Sequence, residues 1–290
     1  MTAAFDSLEG FLAAGAGALR AGPVALIFVE DAAEIDSTLA HHLRLGFRTL
    51  LVFLPEGLSL EGPQDRRVTA IRLPTRAEGI VPATVNRLIE AAPDGQWMFY
   101  AYNAEYLYFP FCETRSVGEL LAFHAEERRE AMLCYVVDLY PGELSRAPEG
   151  VSLSDAHLDR LGYFAQARPG PDGHPRERQL DFFGGVRWRF EQHIPAAQRR
   201  IDRIALFRAR RGVRLLPDHR FDVEEMNTYA CPWHNNLTAA LLSFRTAKAL
   251  KANPGSRNAI GSFRWQGSVP CRWQSQQLMD LGLMEPGQWF

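Results

Sequence analysis

The 290-residue chain is 47% hydrophobic and 23% charged, with a formal net charge of -2. An apolar fraction that large, including 18 Phe, 8 Tyr and 6 Trp, supports a sizeable buried core and excludes intrinsic disorder. There is no apolar run long enough to cross a bilayer. The small net charge conceals two halves of opposite sign. Residues 1–186 carry 16 Lys or Arg against 26 Asp or Glu, whereas residues 187–290 carry 16 against 8. The basic side chains are 30 Arg and only two Lys. Cys112, Cys134, Cys231 and Cys271 are widely spaced, and no Cys-x-x-Cys pair occurs. That pattern fits reduced thiols in a cytoplasmic protein better than a zinc knuckle or a dithiol site.

Residues 11–19 are apolar, but Asp6 and Glu9 precede them where an export signal carries positive charge. They are expected to form an amphipathic helix within an N-terminal segment 1–21. Val24–Val29 is a continuous apolar run of strand length and ends in Glu30-Asp31, the pattern of a strand covered on both faces. A helical pattern follows over 32–45, closed by Gly46. Thr49–Leu54 is a second apolar strand, Val68–Leu73 a third and Gln96–Tyr102 a fourth, with a helix expected over 81–92. Strands alternating with helices argue for an α/β fold with a mostly parallel sheet and helices on both faces. Ligands of such sheets bind beyond the carboxyl ends of the strands.

Further along, Ser116 and Glu119 form a capping box for a helix over 117–127, and Ala131–Tyr140 reads as a long strand. The pattern breaks up between 141 and 180, where Pro169–Pro175 marks a surface loop. A helix is expected over 239–251. Residues 1–250 then form one domain, and 251–290 pack on it as a C-terminal extension.

Four groups of residues carry potential chemistry. Glu105, with Asn103 two positions before it, stands at the end of the fourth strand, where oxygen ligands can hold a divalent cation. Glu30 and Asp31 follow the first strand, where acids accept bonds from a ribose or a base, although on the residues alone a helix cap is the preferred reading of Asp31. Arg187 and Arg189 adjoin Gly184-Gly185 and offer planar forks for a diphosphate. His234 lies beside Trp233 and is a candidate acid or base. No nucleic-acid-binding motif accompanies the arginines, and no Gly-rich phosphate loop or Gly-x-Ser-x-Gly elbow is present.

In order, Val24–Asp31, His41-His42-Leu43-Arg44-Leu45-Gly46-Phe47, Leu50–Leu54, Trp97–Pro110, Gly184-Gly185-Val186-Arg187 and Leu241–Arg245 resemble the landmarks of family 2 type glycosyltransferases of the GT-A fold. The resemblance runs over roughly residues 22–250. It implies a Rossmann-like GT-A domain, a nucleotide-sugar donor, a glycan or small-molecule acceptor, and a Mn or Mg ion held by an Asp-x-Asp-Glu motif. The chain departs from the pattern where that motif belongs. Tyr102 and Ala104 replace its two aspartates, Leu54-Pro55 replaces an acidic strand end, and Ser243 stands where a histidine is expected. The resemblance therefore implies a transferase in which Glu105, with Asn103 or Asp31, rebuilds a weaker cation site, or one that works without metal with Arg187 and Arg189 facing the diphosphate, or an inactive homologue that serves as a binding or assembly partner.

Overall fold

The computed structural model describes residues 3–61, 65–230 and 236–289. Its elements, in chain order, are β1 (Ala3–Phe5), α1 (Leu8–Ala14), β2 (Val24–Phe28), α2 (Ile35–Arg44), β3 (Thr49–Leu54), β4 (Val68–Arg72), α3 (Ile80–Ala91), β5 (Trp97–Tyr102), β6 (Glu105–Tyr108), α4 (Val117–Glu126) and β7 (Ala131–Asp138). There follow β8 (Tyr140–Pro141), β9 (Ala156–Asp159), β10 (Phe164–Pro169), β11 (Pro175–Phe183), α5 (Gly185–Arg189), β12 (Asp202–Arg208), β13 (Ala239–Ser243), α6 (Arg245–Ala252), β14 (Ser268–Pro270) and α7 (Ser275–Asp280). Among the described residues the largest sheet has nine strands, mixed and mostly parallel, so the chain is an α/β protein with no helix long and apolar enough to cross a membrane.

The chain divides into two compact units. The first comprises Met1–Tyr106, Thr114–Met132 and Ile204–Asn227, and the second Leu107–Glu113, Leu133–Arg203 and Thr228–Phe290. In the first unit the strand order is β1-β4-β3-β2-β5-β12. The first five are parallel, as the registers Val24↔Thr49 and Val24↔Met98 show, and β12 lies antiparallel to β5. Every residue of β2 and β3 is buried, which is what their uninterrupted apolar runs require. Phe28 stacks on Phe53 at 4.6 Å between ring centroids. The expected capping box holds α4: the Glu119 N–H donates to Ser116 Oγ, and the Ser116 N–H donates to the Glu119 carboxylate. At the N-terminus the helix is shorter than expected, ending at Ala14 before a 3-10 turn over Ala16–Arg20.

The second unit contains the parallel pair β7 and β13, the three-stranded sheet β14-β9-β8 and the hairpin β10-β11. Here the sequence misleads twice. Ala239–Ser243 is a strand rather than the first turns of a helix, and α6 begins only at Arg245. A short apolar run fits a buried strand as well as a buried helix, and pairing with β7 decides the matter. The supposedly irregular 141–180 segment contains a hairpin whose turn is the Pro-Gly-rich 169–175 loop. Its strands escape detection because their sequences, Phe-Ala-Gln-Ala-Arg and Arg-Glu-Arg-Gln-Leu, do not alternate cleanly. Tyr140, Leu144, Val186, Ala247, Leu250, Ile260 and Phe263 form one core cluster of this unit.

Two histidines are buried in the first unit as neutral rings. His42 Nδ1 donates to the Thr38 carbonyl at 2.8 Å, and the ring packs against Phe99 and Phe47. His124 Nε2 donates to the Ala131 carbonyl at 2.8 Å. Burial pulls both down from 6.5 to about 4. Once unfolded, each ring takes a proton at its ordinary pKa, so the stability they lend is complete above about 6.5 and drains away as pH falls toward 4. The urea unfolding midpoint is therefore expected to fall steadily between about pH 6.5 and pH 4, with net proton uptake on unfolding in that window. A flat midpoint from pH 6.5 to 5 would contradict this burial.

Candidate functional site

The first unit reverses its strand order beside β2. From β2 the chain builds outward through β3 and β4, then returns to place β5 on the other side of β2. Ligands of open α/β sheets bind in the crevice beyond the carboxyl ends at such a reversal. Phe28 pairs with Tyr102 at the end of the two strands, which brings Glu30 and Asp31 next to the Tyr102–Glu105 turn.

Asn103 joins the two segments. Its Oδ1 accepts the Glu30 N–H at 2.8 Å, and its Nδ2 donates to Asp31 Oδ1 at 2.7 Å, the Ala33 carbonyl at 2.8 Å and the Asp31 carbonyl at 3.1 Å. The side chain is wholly buried, so these bonds are made away from competing water. Ala104 follows in the left-handed region at φ 58°, an uncommon conformation for a residue with a Cβ. It is held there by its N–H bond to Thr38 Oγ1 at 2.9 Å. Glu105 turns inward: it is fully buried and accepts the Tyr102 N–H at 3.0 Å. Glu30 and Asp31 remain partly exposed at the mouth of the crevice.

This donor set does not fit a tightly held cation. A Mn or Mg ion wants several anionic oxygens around it, yet the Asn103 oxygen already accepts a backbone N–H and Glu105 is folded into its own turn. Among the described residues no group of three His, Cys, Asp or Glu side chains is gathered.

The second unit contains Arg187 and Arg189, each beside a buried aspartate. Gly185 at φ 62° lets the chain turn into α5, which carries both. Arg187 Nε lies 3.3 Å from Asp138 Oδ1 and 3.2 Å from Thr246 Oγ1, while its Nη1 donates to the Arg200 carbonyl at 2.6 Å. Burial raises the Asp138 carboxyl above its usual range, and the Arg187 guanidinium opposes that rise. Arg189 makes a forked bond to Asp159, 2.7 Å from Nε and 3.2 Å from Nη2, and lies over the rings of Phe190, Trp265 and Tyr140. Both guanidiniums are thus used as internal counter-ions. Truncating either would strand a buried carboxylate.

A cation that the sequence did not single out stands at the crevice instead. Arg76 is exposed, and its Nε donates to the Glu30 carbonyl at 2.6 Å. The preceding Thr75 caps the Val29 carbonyl through Oγ1 at 2.5 Å, so the loop after β4 is fastened to the loop after β2. The signal was the polar Thr75-Arg76 pair after a predicted strand end, but nothing local reveals that it bends toward Glu30. His234 lies outside the described residues.

In comparison with known proteins, no family model matches the chain and no curated protein matches it.

Removing the Asn103 side chain leaves the Glu30 N–H and two carbonyls without their buried partners. Asn103→Ala is expected to destabilise the protein by about 2–4 kcal/mol, read as a lower urea midpoint with unchanged slope. A loss below about 0.5 kcal/mol would show that water replaces the clamp.

Proposed function

We propose that this chain is a glycosyltransferase-like protein that binds a nucleotide-sugar donor at the strand-order reversal of its first unit and transfers the sugar to a hydroxyl of a glycan or small-molecule acceptor. The observation that carries the reading is the Asn103 clamp, which fixes Glu30 and Asp31 at the carboxyl ends of β2 and β5. The Asp31 carboxylate, already held by Asn103, accepts ribose or base donors without the cost of becoming ordered, and Glu30 stands beside it on a fixed backbone. Arg76 supplies the fork for the donor diphosphate, in place of Arg187 and Arg189, and its charge favours departure of the diphosphate as the sugar bond breaks. Because the Asn103 and Glu105 oxygens are engaged in the turn, no step here runs through a metal ion. The landmark resemblance in the sequence and the mixed, mostly parallel sheet support the same reading.

A second reading is favoured by Glu105. A carboxylate buried in its own turn suits a protein that keeps the donor crevice but has lost transfer, and serves as a binding partner in glycan assembly.

Isothermal titration of the full chain with UDP- and GDP-sugars, with and without manganese, tests both. At least one donor is expected to bind, with affinity changed less than about twofold by manganese, and Arg76→Ala is expected to weaken it about tenfold. Turnover of the bound donor supports the first reading, and binding without turnover the second. Absence of binding by every donor would sink both.

A further inference from the structure

The second unit exposes large apolar side chains that its own packing does not use. Among the described residues, Leu161, Phe164 and Trp188 are large hydrophobics left 41% or more exposed, and all three fall within residues 161–188. Exposed apolar surface that is contiguous and rimmed by polar residues marks interaction sites and ligand grooves. The hairpin explains its shape. Phe164 lies opposite Phe183 in the β10-β11 register, and Gln166, two residues on, shares their face. The two phenyl rings stack with centroids 5.3 Å apart and planes 19° from parallel. Phe182, on the other face, packs instead on Tyr135.

Trp188 completes the shelf, and the backbone fixes its position. Gly162 stands at φ 85°, and a Cβ there would lie 2.9 Å from Trp188 Cζ3 and 3.0 Å from Cε3. The indole therefore rests against bare backbone on one side and is 42% exposed. The rim is polar and planar. Arg199 is locked by Nε to the Ile194 carbonyl at 2.9 Å, by Nη2 to the Glu191 carbonyl at 2.9 Å and by Nη1 to Glu191 Oε2 at 3.4 Å. The Gln166 amide bonds to no other described residue and is available to a ligand. Phe164, Gln166, Phe183, Trp188, Glu191 and Arg199 together line a cavity of about 180 Å³.

We infer that this shelf is a saccharide-binding subsite, which takes one pyranose ring of a neutral acceptor glycan. A pyranose presents an apolar C–H face edged by hydroxyls. The face suits the rings of Phe164, Phe183 and Trp188, and the hydroxyls suit the Gln166 amide and the Glu191 and Arg199 side chains. The rim contains one carboxylate and one guanidinium paired with each other, so it selects for a neutral ligand over a phosphorylated one. The six residues that line the cavity are far fewer than the roughly 20–30 per side that a stable protein interface uses. Assigning the glycan as an acceptor rests on the transferase-like reading above, whereas the shelf's preference for a saccharide does not.

The test is calorimetric titration of the full chain with neutral trisaccharides, namely maltotriose, cellotriose, chitotriose and mannotriose, followed in parallel by tryptophan fluorescence. At least one is expected to bind saturably with a Kd of about 0.1–10 mM. Trp188→Ala and Phe164→Ala are each expected to weaken that binding about tenfold, and Gln166→Ala to weaken it less. Far-UV circular dichroism and nucleotide-sugar titration of the same variants are expected to match wild type, which shows that the fold and the donor crevice are intact. Failure of all four sugars to bind, or binding indifferent to Trp188→Ala, would overturn the inference. So would concentration-dependent dimerisation abolished by Trp188→Ala, which would make the shelf a self-association surface. A chain that binds a trisaccharide but no nucleotide sugar would overturn the donor reading and leave this one standing.

Discussion

The carboxamide of Asn103 binds together the ends of the two strands between which the sheet reverses its order. Four hydrogen bonds from one buried side chain fix the path of Glu30, Asp31 and Ala33. The Thr38 bond to Ala104 and the inward turn of Glu105 depend on the same path. A neutral amide suits this position because it donates and accepts at once, whereas an aspartate there would only accept. The Asn103 and Glu105 oxygens thereby hold the backbone of the turn, and Arg76 brings a positive charge to the Glu30 carbonyl beside it.

The opposite charges of the two parts of the chain take on a specific meaning as well. Arg187, Arg189, Arg168 and Arg200 of the second unit pair with Asp138, Asp159, Asp181 and Asp202. Those carboxylates are mostly buried, so the arginines offset a desolvation cost within the fold and present little charge to a ligand. The guanidinium of Arg189 adds cation–π contact with three rings. Three arginines of the basic part, Arg187, Arg189 and Arg200, thus belong to an internal electrostatic frame, and the surface left beside it, at Phe164, Trp188 and Gln166, is neutral and aromatic.

Much of the fold was legible because its signals are local. Thr49–Leu54 is a strand with the expected bounds, since an unbroken apolar run needs cover on both faces. The capping box at Ser116 and Glu119 is set by three-residue spacing. Ala239–Ser243 was misread because its identity as a strand depends on pairing with Cys134–Asp138, about a hundred residues earlier. The site was half legible for the same reason. Glu30, Asp31, Asn103 and Glu105 were found from their positions at strand ends. The bonds that join Asn103 to Glu30 and Asp31 span 73 and 72 residues, and the approach of Arg76 to Glu30 spans 46. Likewise Arg187 and Arg189 were recognised as special, but only the fold shows that each faces an aspartate.

The claim that the donor occupies the crevice fixed by Asn103 is tested most directly by hydrogen–deuterium exchange of the full chain with and without saturating nucleotide sugar. The account predicts slower exchange in three segments, residues 29–34, 75–76 and 102–106, with the hairpin 164–183 unchanged. Protection confined to other segments, or none at a donor concentration that saturates binding, would contradict it.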